Sequence, residues 1–427
     1  MAAYRFIHAA DIHLDSPLKS LSLRDPALAD LVGNATRRAF VRVVDLCLAE
    51  EVDALILAGD LYDGTQTSMK TARFLAEQVR RLHEAGIATF VIRGNHDAMS
   101  QITRELVFPE SVTVFGGRAG AIEIDRPAGT FPVTIHGLSF RDRHAPESLL
   151  DKYRPPVAGA VNIGLLHTSL AGAPGHDNYA PCSVADLQAA GFDYWALGHI
   201  HKRSVVEGQR AVVMPGMPQG RDINEAGPKS VSLVTVADDR TITIEERVTS
   251  VAQFERVPFD VSGIEDWAEL VRAGEAALAE ARHGLASDHL VARLKLTGAT
   301  PLSWRLRRDI DLLKTDLDER AAAIGACWVE SVEIETRPDG AATATAGPEA
   351  PLIELRRLIA EEVAGSAAFR MEASRIVNDL AARLPPESRR LFGTDEAAFE
   401  AAVAALIDEG TEDALARLHA GADDGEA

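Results

Sequence analysis

Over its first 250 residues the chain repeats one unit, a short continuous apolar run followed by a longer stretch whose apolar positions return every three or four residues. The runs are Tyr4 to Ala9, Ala54 to Ala58, Thr89 to Ile92, Val133 to His136, Val161 to Leu166, Tyr194 to Leu197 and Ala211 to Met214. Their length and continuity predict strands buried on both faces. Between the first two, Phe40, Val43, Val44, Cys47 and Leu48 recur at i, i+3, i+4, i+7 and i+8, which predicts an amphipathic helix crossing back over the sheet. Val231 to Val236 and Thr241 to Val248, joined by Ala237-Asp238-Asp239-Arg240, predict a closing hairpin. The alternation is that of a layered α/β domain.

After about Ser250 the pattern changes to strand (Phe254 to Val261), helix (Glu265 to Ala281), strand (His289 to Leu296), helix (Ser303 to Ala323) and strand (Trp328 to Glu335), a compact second domain. Pro338 to Pro351 offers almost nothing to bury and reads as a linker. Beyond it, stripes at Leu352, Leu355, Leu358 and Ile359, at Ile376, Leu380 and Leu384, and at Phe399, Val403, Leu406 and Ile407 predict a helical tail. The expected division is 1–250, 251–337, a linker over 338–351, and 352–427.

Composition narrows the chemistry. A formal charge of −20 over 427 residues leaves no global field to hold a polyanion, so any nucleic-acid contact must be local or metal-mediated. The start of the chain shows no basic segment followed by a long apolar one, and no apolar run is long enough to span a membrane. Three cysteines, odd in number and far apart, speak against a disulfide framework or a thiolate metal site and fit a reducing cytoplasm.

The informative polar residues stand where the apolar runs end. The first run leads into Asp11-Ile12-His13, the second into Gly59-Asp60, and the third into Gly94-Asn95-His96-Asp97; later runs end at His167 and at Gly198-His199-Ile200-His201. Ligands bind at the carboxyl ends of strands in open α/β sheets. Asp-x-His and Gly-Asp are weak signals, and Asp142-Arg143-His144 repeats the former in a polar loop that is set aside. By contrast, Gly-Asn-His-Asp is expected about 0.001 times and Gly-His-x-His about 0.03 times from this composition. A mixed Asp, His and Asn set suits divalent manganese, iron or zinc. Seven ligands overfill one ion, whereas a shared carboxylate can bridge two ions about 3.5–4 Å apart.

In this order the motifs resemble those of the calcineurin-like metallophosphoesterases, and within them the DNA-repair exonucleases of the SbcD and YhaO type. Local cues are His8-Ala9-Ala10-Asp11-Ile12-His13-Leu14-Asp15-Ser16-Pro17-Leu18, Gly59-Asp60-Leu61-Tyr62-Asp63, Gly175-His176-Asp177-Asn178-Tyr179, Trp195-Ala196-Leu197-Gly198-His199-Ile200-His201 and Pro215-Gly216-Met217-Pro218-Gln219-Gly220-Arg221. The resemblance implies a four-layer α-β-β-α sandwich with a small α+β cap domain and a helical C-terminal tail. It implies two divalent metal ions, best met by Mn2+: Asp11, His13, Asp60 and His201 on one, Asp60, Asn95, His167 and His199 on the other. His96 then stands unligated beside the scissile phosphate as general acid, with Asp97 orienting it. His8 reads as a satisfied core histidine and Asp15 as a turn former.

The implied activity is metal-dependent hydrolysis of DNA, an exonuclease in DNA repair. The implied partners are DNA, a coiled-coil SMC-like ATPase and a second copy of the chain as a homodimer, with no membrane. Two other readings share the site: a small-molecule phosphodiesterase, and a scaffold whose metals are ancillary. A second domain and a tail are more than a minimal phosphodiesterase needs, and a protein phosphatase usually reads Gly-Asn-His-Glu. The tail carries eight arginines against sixteen acids over residues 350 to 427, so it is expected to repel DNA; its apolar stripes need burial, either on each other as a three-helix bundle or, as the resemblance suggests, on the base of a partner ATPase's coiled coil.

Overall fold

The computed structural model describes residues 3–16, 26–62, 68–97, 108–140, 145–170, 179–208, 210–339, 350–384, 389–393 and 395–423. Packing divides the chain into two compact units, Met1–Glu255 with Gly284–Val291, and Arg256–His283 with Ala292–Ala427.

In the first unit β1 (Tyr4–Ala9), β2 (Ala54–Ala58), β3 (Ala88–Ile92) and β4 (Val112–Val114) run parallel. The second sheet is built from β5 (Gly120–Glu123), β6 (Val133–Gly137), β7 (Val161–His167), β8 (Tyr194–Gly198), β9 (Ser204–Val206) and β10 (Ala211–Met214). The hairpin of β11 (Ser230–Val236) and β12 (Ile242–Val248) closes the first sheet antiparallel to β1, with Phe6 between Val234 and Ala54. The orders are β12-β11-β1-β2-β3-β4 and β5-β6-β7-β8-β10-β9, and β6, β7, β8 and β10 are mutually parallel.

Side-chain alternation separates three apolar layers. Tyr4, Phe6, Ile56, Phe90, Ile135, Ile163, Tyr194 and Val213 fill the space between the sheets. The alternate residues Ile7, Leu55, Leu57 and Val91 face α1 (Pro26–Ala49) and α2 (Met69–Glu84), meeting Phe40, Val43, Val44, Cys47, Leu75 and Val79. On the far side Leu166, Trp195, Leu197 and Val212 meet Leu187 of α3 (Val184–Ala189), whose first turn is fixed by a Ser183–Asp186 capping box. This is the four-layer α-β-β-α sandwich. Short edge strands β4, β5 and β9 extend it beyond the elements predicted from the sequence.

The chain continues through β13 (Ala252–Asp260), α4 (Trp267–His283), β14 (His289–Ala299), α5 (Ser303–Arg308), α6 (Ile310–Ile324) and β15 (Cys327–Arg337), with the strands forming a third sheet in that order. The single helix expected over Ser303 to Ala323 is two helices. Asp309 leaves the helical conformation (φ −105°, ψ 31°), and its carboxylate accepts from Arg308 at 2.8 and 2.9 Å. The break lets α5 bury Trp304 and Leu306 while α6 buries Leu313, Leu317 and Ala321. Gly274 brings α4 close to α6, since a Cβ there would run into Leu317.

The tail comprises α7 (Ala350–Leu358), a π-helical turn over Ile359–Val363, α8 (Ala367–Arg383) and α9 (Glu396–Asp423). Within the second unit Trp304 of α5 is buried with Leu415 and Ala416 of α9, and Leu352, Ile353, Leu355 and Ile359 pack around them. Trp304 Nε1 donates to Glu412 at 3.3 Å, and Arg356 pairs with the same carboxylate at 2.5 Å. The tail therefore packs on α5 as well as on itself. Phe369, Ile376 and Leu380, on one face of α8, are 41%, 55% and 50% exposed. No described helix is long and apolar enough to cross a membrane.

Trp304→Ala should destabilise the second unit by about 3–5 kcal/mol, the usual cost of emptying a buried aromatic site. Urea unfolding followed by tail-specific proteolysis reads this; a variant with unchanged midpoint and cleavage rate would show that α9 is not held through Trp304.

Candidate metal centre

All nine sequence-predicted site residues lie at the carboxyl edge of the parallel strands in the first unit. Asp11 and His13 follow β1, Asp60 follows β2, and Asn95, His96 and Asp97 follow β3. His167 is the last residue of β7, and His199 and His201 follow β8. Backbone pairing continues beyond the strands: Asp11 N donates to Gly59 O at 3.0 Å, His13 N to Asp60 O at 3.0 Å, and Leu14 N to Leu61 O at 2.9 Å. The two loops are thus held in register while Asp11 (φ 53°), His13 (46°) and Asp60 (54°) take left-handed conformations, as does His199 (103°). Such positions cost of order 1–3 kcal/mol each and persist only where the surroundings dictate them.

The glycines of the motifs have a steric role. A Cβ at Gly94 would overlap the Asp60 carboxylate, one at Gly59 would lie 2.5 Å from His167 Nδ1, and one at Gly198 would strike the Ala58 carbonyl. Only hydrogen fits at these three points, so the polar residues beside them can converge.

They converge as two triads. Asp11, His13 and His201 form one, and Asp60, His167 and His199 the other, with the ligand atoms of each within 4.8 Å of one another. His13 Nε2 and His201 Nε2 are 3.2 Å apart. His167 Nε2 lies 3.3 Å from Asp60 Oδ2 and 3.0 Å from Asn95 Oδ1, which is also 3.3 Å from His199 Nδ1. Asn95 therefore belongs with the second triad. His96 donates its backbone N–H to Asp60 Oδ1 at 3.0 Å, and its half-buried ring stands edge-on to His13 at 5.1 Å. Asp97 is fully buried and accepts from the Leu61 amide at 3.0 Å, tying the third loop to the second.

Other contacts orient the imidazoles. His167 Nδ1 lies 2.9 Å from the Ala58 carbonyl, which only accepts, so Nδ1 carries the proton and Nε2 faces Asp60. His201 Nδ1 is 2.7 Å from Glu225 Oε1, and Arg221 donates to the same oxygen at 2.7 Å. Sequence reasoning missed Glu225, which sits 24 residues after His201 with no local motif to mark it. His8 lies between Tyr194 Oη (2.9 Å) and the Leu197 carbonyl (3.0 Å), a satisfied core histidine whose pKa burial pushes down to about 3. Asp15 takes a left-handed φ of 58° and pairs with Arg37 of α1 and Thr71 of α2. Asp63, His176 and the set-aside Asp142–His144 lie outside the described residues.

Burial dominates the electrostatics. It raises the Asp11 carboxyl to about 6, against lowering by His167 and His201, and raises Asp97 to about 7 with the Asp60 charge adding to the effect. Burial would raise Asp60 too, but the His167 imidazole, by charge and hydrogen bond, together with His13 and His96, takes it below the carboxylate range. His167 would be lowered by burial and is instead raised to about 9, chiefly by Asp60. His13 is held well below its ordinary value by burial and by the Arg221 charge.

Two buried carboxyl groups, the Asn95 amide oxygen and four imidazoles, with facing ring nitrogens 3.2 Å apart, make the donor set of a divalent-cation centre. Water-excluded acids of one sign need a counter-charge, and the residues present fit two cations better than one.

The chain matches the calcineurin-like phosphoesterase family over residues 4–203 and the middle domain of metallophosphoesterase YhaO over residues 254–337. It is 35% identical over 321 residues to the metallophosphoesterase YhaO of Bacillus subtilis (strain 168), covering 75% of this chain and 76% of that protein. The DNA double-strand break repair protein Mre11 of Sulfurisphaera tokodaii is 29% identical over 51% of this chain and 54% of its own length. The SbcD component of the nuclease SbcCD of Escherichia coli (strain K12) is 26% identical over 58% of this chain and 69% of its own length.

Cation binding must displace the proton that His167 holds below about pH 9 and, at lower pH, that of Asp11 near pH 6. Mn2+ affinity should therefore rise with pH between about 5 and 9. Calorimetry in buffers of different ionisation enthalpy should show about one proton released per protein at pH 7.5 and more at pH 6. Equal heats across buffers at both pH values would contradict the raised His167.

Proposed function

The chain belongs to the calcineurin-like metallophosphoesterases, and on that premise we propose that it is a two-metal phosphodiesterase that acts on DNA as an exonuclease. The observation that carries the reading is the pairing of the Asp11–His13–His201 and Asp60–His167–His199 triads at one strand edge. Asp11, His13, Asp60 and His201 would hold one ion and Asp60, Asn95, His167 and His199 the other. Held there, two cations, which we assign as Mn2+, would supply positive charge against a phosphodiester and would acidify a water for attack.

The remaining roles fall to the protein. The left-handed turns at Asp11, His13 and Asp60 aim three ligands from two adjacent strands into one space. Glu225 and the Ala58 carbonyl hold His201 and His167 with Nε2 inward, so neither imidazole needs to reorient. His96, half-buried and bound through its backbone to Asp60, is the group placed to protonate the departing sugar oxygen, without which the leaving group is a poor alkoxide. Asp97 acts as a positioning residue, fixing the loop that carries His96 through the Leu61 amide.

DNA as substrate is supported by what two relatives are, a DNA double-strand break repair protein and a component of a nuclease. The acidic composition of the chain makes the cations themselves the attraction for phosphate. A coiled-coil SMC-like ATPase is the partner we assign to the tail, where Phe369, Ile376 and Leu380 present an exposed apolar face on α8. The three cysteines, all buried free thiols, fit a cytoplasmic protein.

His96→Ala should retain two Mn2+ per chain and lose about 10²–10⁴-fold in cleavage rate on DNA, with a smaller loss on a diester bearing an activated leaving group. Asp60→Ala should lose both ions and all activity. Metal analysis separates the roles: a His96→Ala protein short of one ion contradicts the acid assignment, and an Asp60→Ala protein with two ions contradicts the bridge.

Ile376→Glu with Leu380→Glu should leave cleavage of short DNA intact, since both side chains are exposed, while abolishing co-purification with the proposed coiled-coil SMC-like ATPase. Unchanged co-purification would remove α8 as the docking face.

A further inference from the structure

A cavity of about 430 Å³ opens at the same strand edge as the metal centre. Its floor is Leu138, Phe140 and Leu149, and Arg118, Glu147 and Lys152 stand at its rim. Three observations tie it to the metal centre. β6 runs parallel to β7, so the residues after β6 and the His167 at the end of β7 lie on one edge. The Phe140 ring stands perpendicular to the His167 imidazole with centroids 5.7 Å apart, so Phe140 is a wall common to the cavity and the candidate metal ligands. Phe140 N also donates to Arg93 O at 3.1 Å, and Arg93 N to Ser139 Oγ at 2.9 Å, which fixes the cavity wall to the loop carrying Asn95 and His96.

We propose that this cavity is a nucleobase subsite, seating the base of the nucleotide whose phosphate occupies the metal centre. The inference rests on the phosphodiesterase reading of that centre and adds what the substrate must carry. An apolar floor with one aromatic wall accepts the flat face of a base, which stacks without regard to sequence. The volume falls in the range of small-ligand sites. The two rim cations, in a chain of net charge −20, suit flanking phosphates, and Glu147 can accept from an exocyclic amino group, as acidic side chains do from cytosine. A phosphate alone has no use for the floor. The base can belong to a DNA strand or to a free nucleotide, and the two are distinguished below.

The test compares dAMP with deoxyribose 5-phosphate as ligands of the Mn2+-loaded full chain by titration calorimetry, a readout independent of turnover. dAMP should bind at least ten-fold more tightly than the base-free sugar phosphate. Ala119→Trp, which fills the cavity from its wall, should erase that difference, and the exposed rim variant Lys152→Glu, which cannot disturb the core, should weaken dAMP by about three-fold or more. Equal affinities for the two ligands in the unaltered chain, or a difference that survives Ala119→Trp in a folded protein, overturns the subsite. A chain that prefers dAMP yet leaves oligonucleotides uncut keeps the subsite and removes the DNA reading. One that cuts oligonucleotides carrying a terminal abasic residue as fast as intact ones removes the subsite and keeps the DNA reading.

Discussion

Everything in the metal centre depends on how closely the carboxyl edges of the two sheets approach each other. Packed sheets ordinarily stand about 10 Å apart, a spacing set by the side chains between them. Through most of the sandwich that filling is Phe6, Ile56, Phe90, Ile163 and Tyr194. At the edge it is replaced by Gly59, Gly94 and Gly198, where a Cβ would meet a His167 ring atom, an Asp60 oxygen or the Ala58 carbonyl. The sheets can therefore bond directly: His167 of the second reaches Ala58 of the first at 2.9 Å, and His199 N donates to both oxygens of Asp11 at 2.9 and 3.1 Å. A ligand set drawn half from each sheet follows from that contact.

The same contact explains why the site is rigid and electrostatically tense. Four of the candidate ligands sit at left-handed φ values, a cost that the extended pairing of the β1 and β2 loops and the cross-sheet bonds compensate. Burial then works against charge: it lifts Asp11 to about 6 and Asp97 to about 7, while Asp60 is held low chiefly by His167, with His13 and His96 adding to the effect.

What was legible in the sequence was whatever is encoded within a few residues. Strand ends, the glycines beside them and the order Asp11, His13, Asp60, Asn95, His96, His167, His199, His201 are all local, and the sandwich strands are buried on both faces, so their apolar runs are continuous. What was not legible is non-local or weakly patterned. Glu225 reaches His201 across 24 residues from a three-residue turn, and Ala58 acts through a carbonyl that every residue possesses. β4, β5 and β9 are three or four residues long and largely half-buried or exposed, so no periodicity marks them. The break at Asp309 has no local sequence signal; it accompanies the Arg308–Asp309 pair and the burial of Trp304 with Leu415 and Ala416 of α9. Phe140 reads as an ordinary core aromatic until the fold sets its ring against His167.

A chain with twenty excess negative charges and three buried acids in its site repels phosphate wherever no counter-charge is fixed. Attraction for phosphate must therefore be concentrated where cations can be held, and ions held there would reverse the local field. That division of labour leaves binding energy from the rest of the substrate to contacts that are indifferent to charge. An apolar floor bounded by Phe140, one ring away from His167, is such a contact, and the base we propose for it would stack there while its phosphate lies at the adjoining triads. Interactions made together with correct phosphate placement favour the reacting geometry over loose attachment.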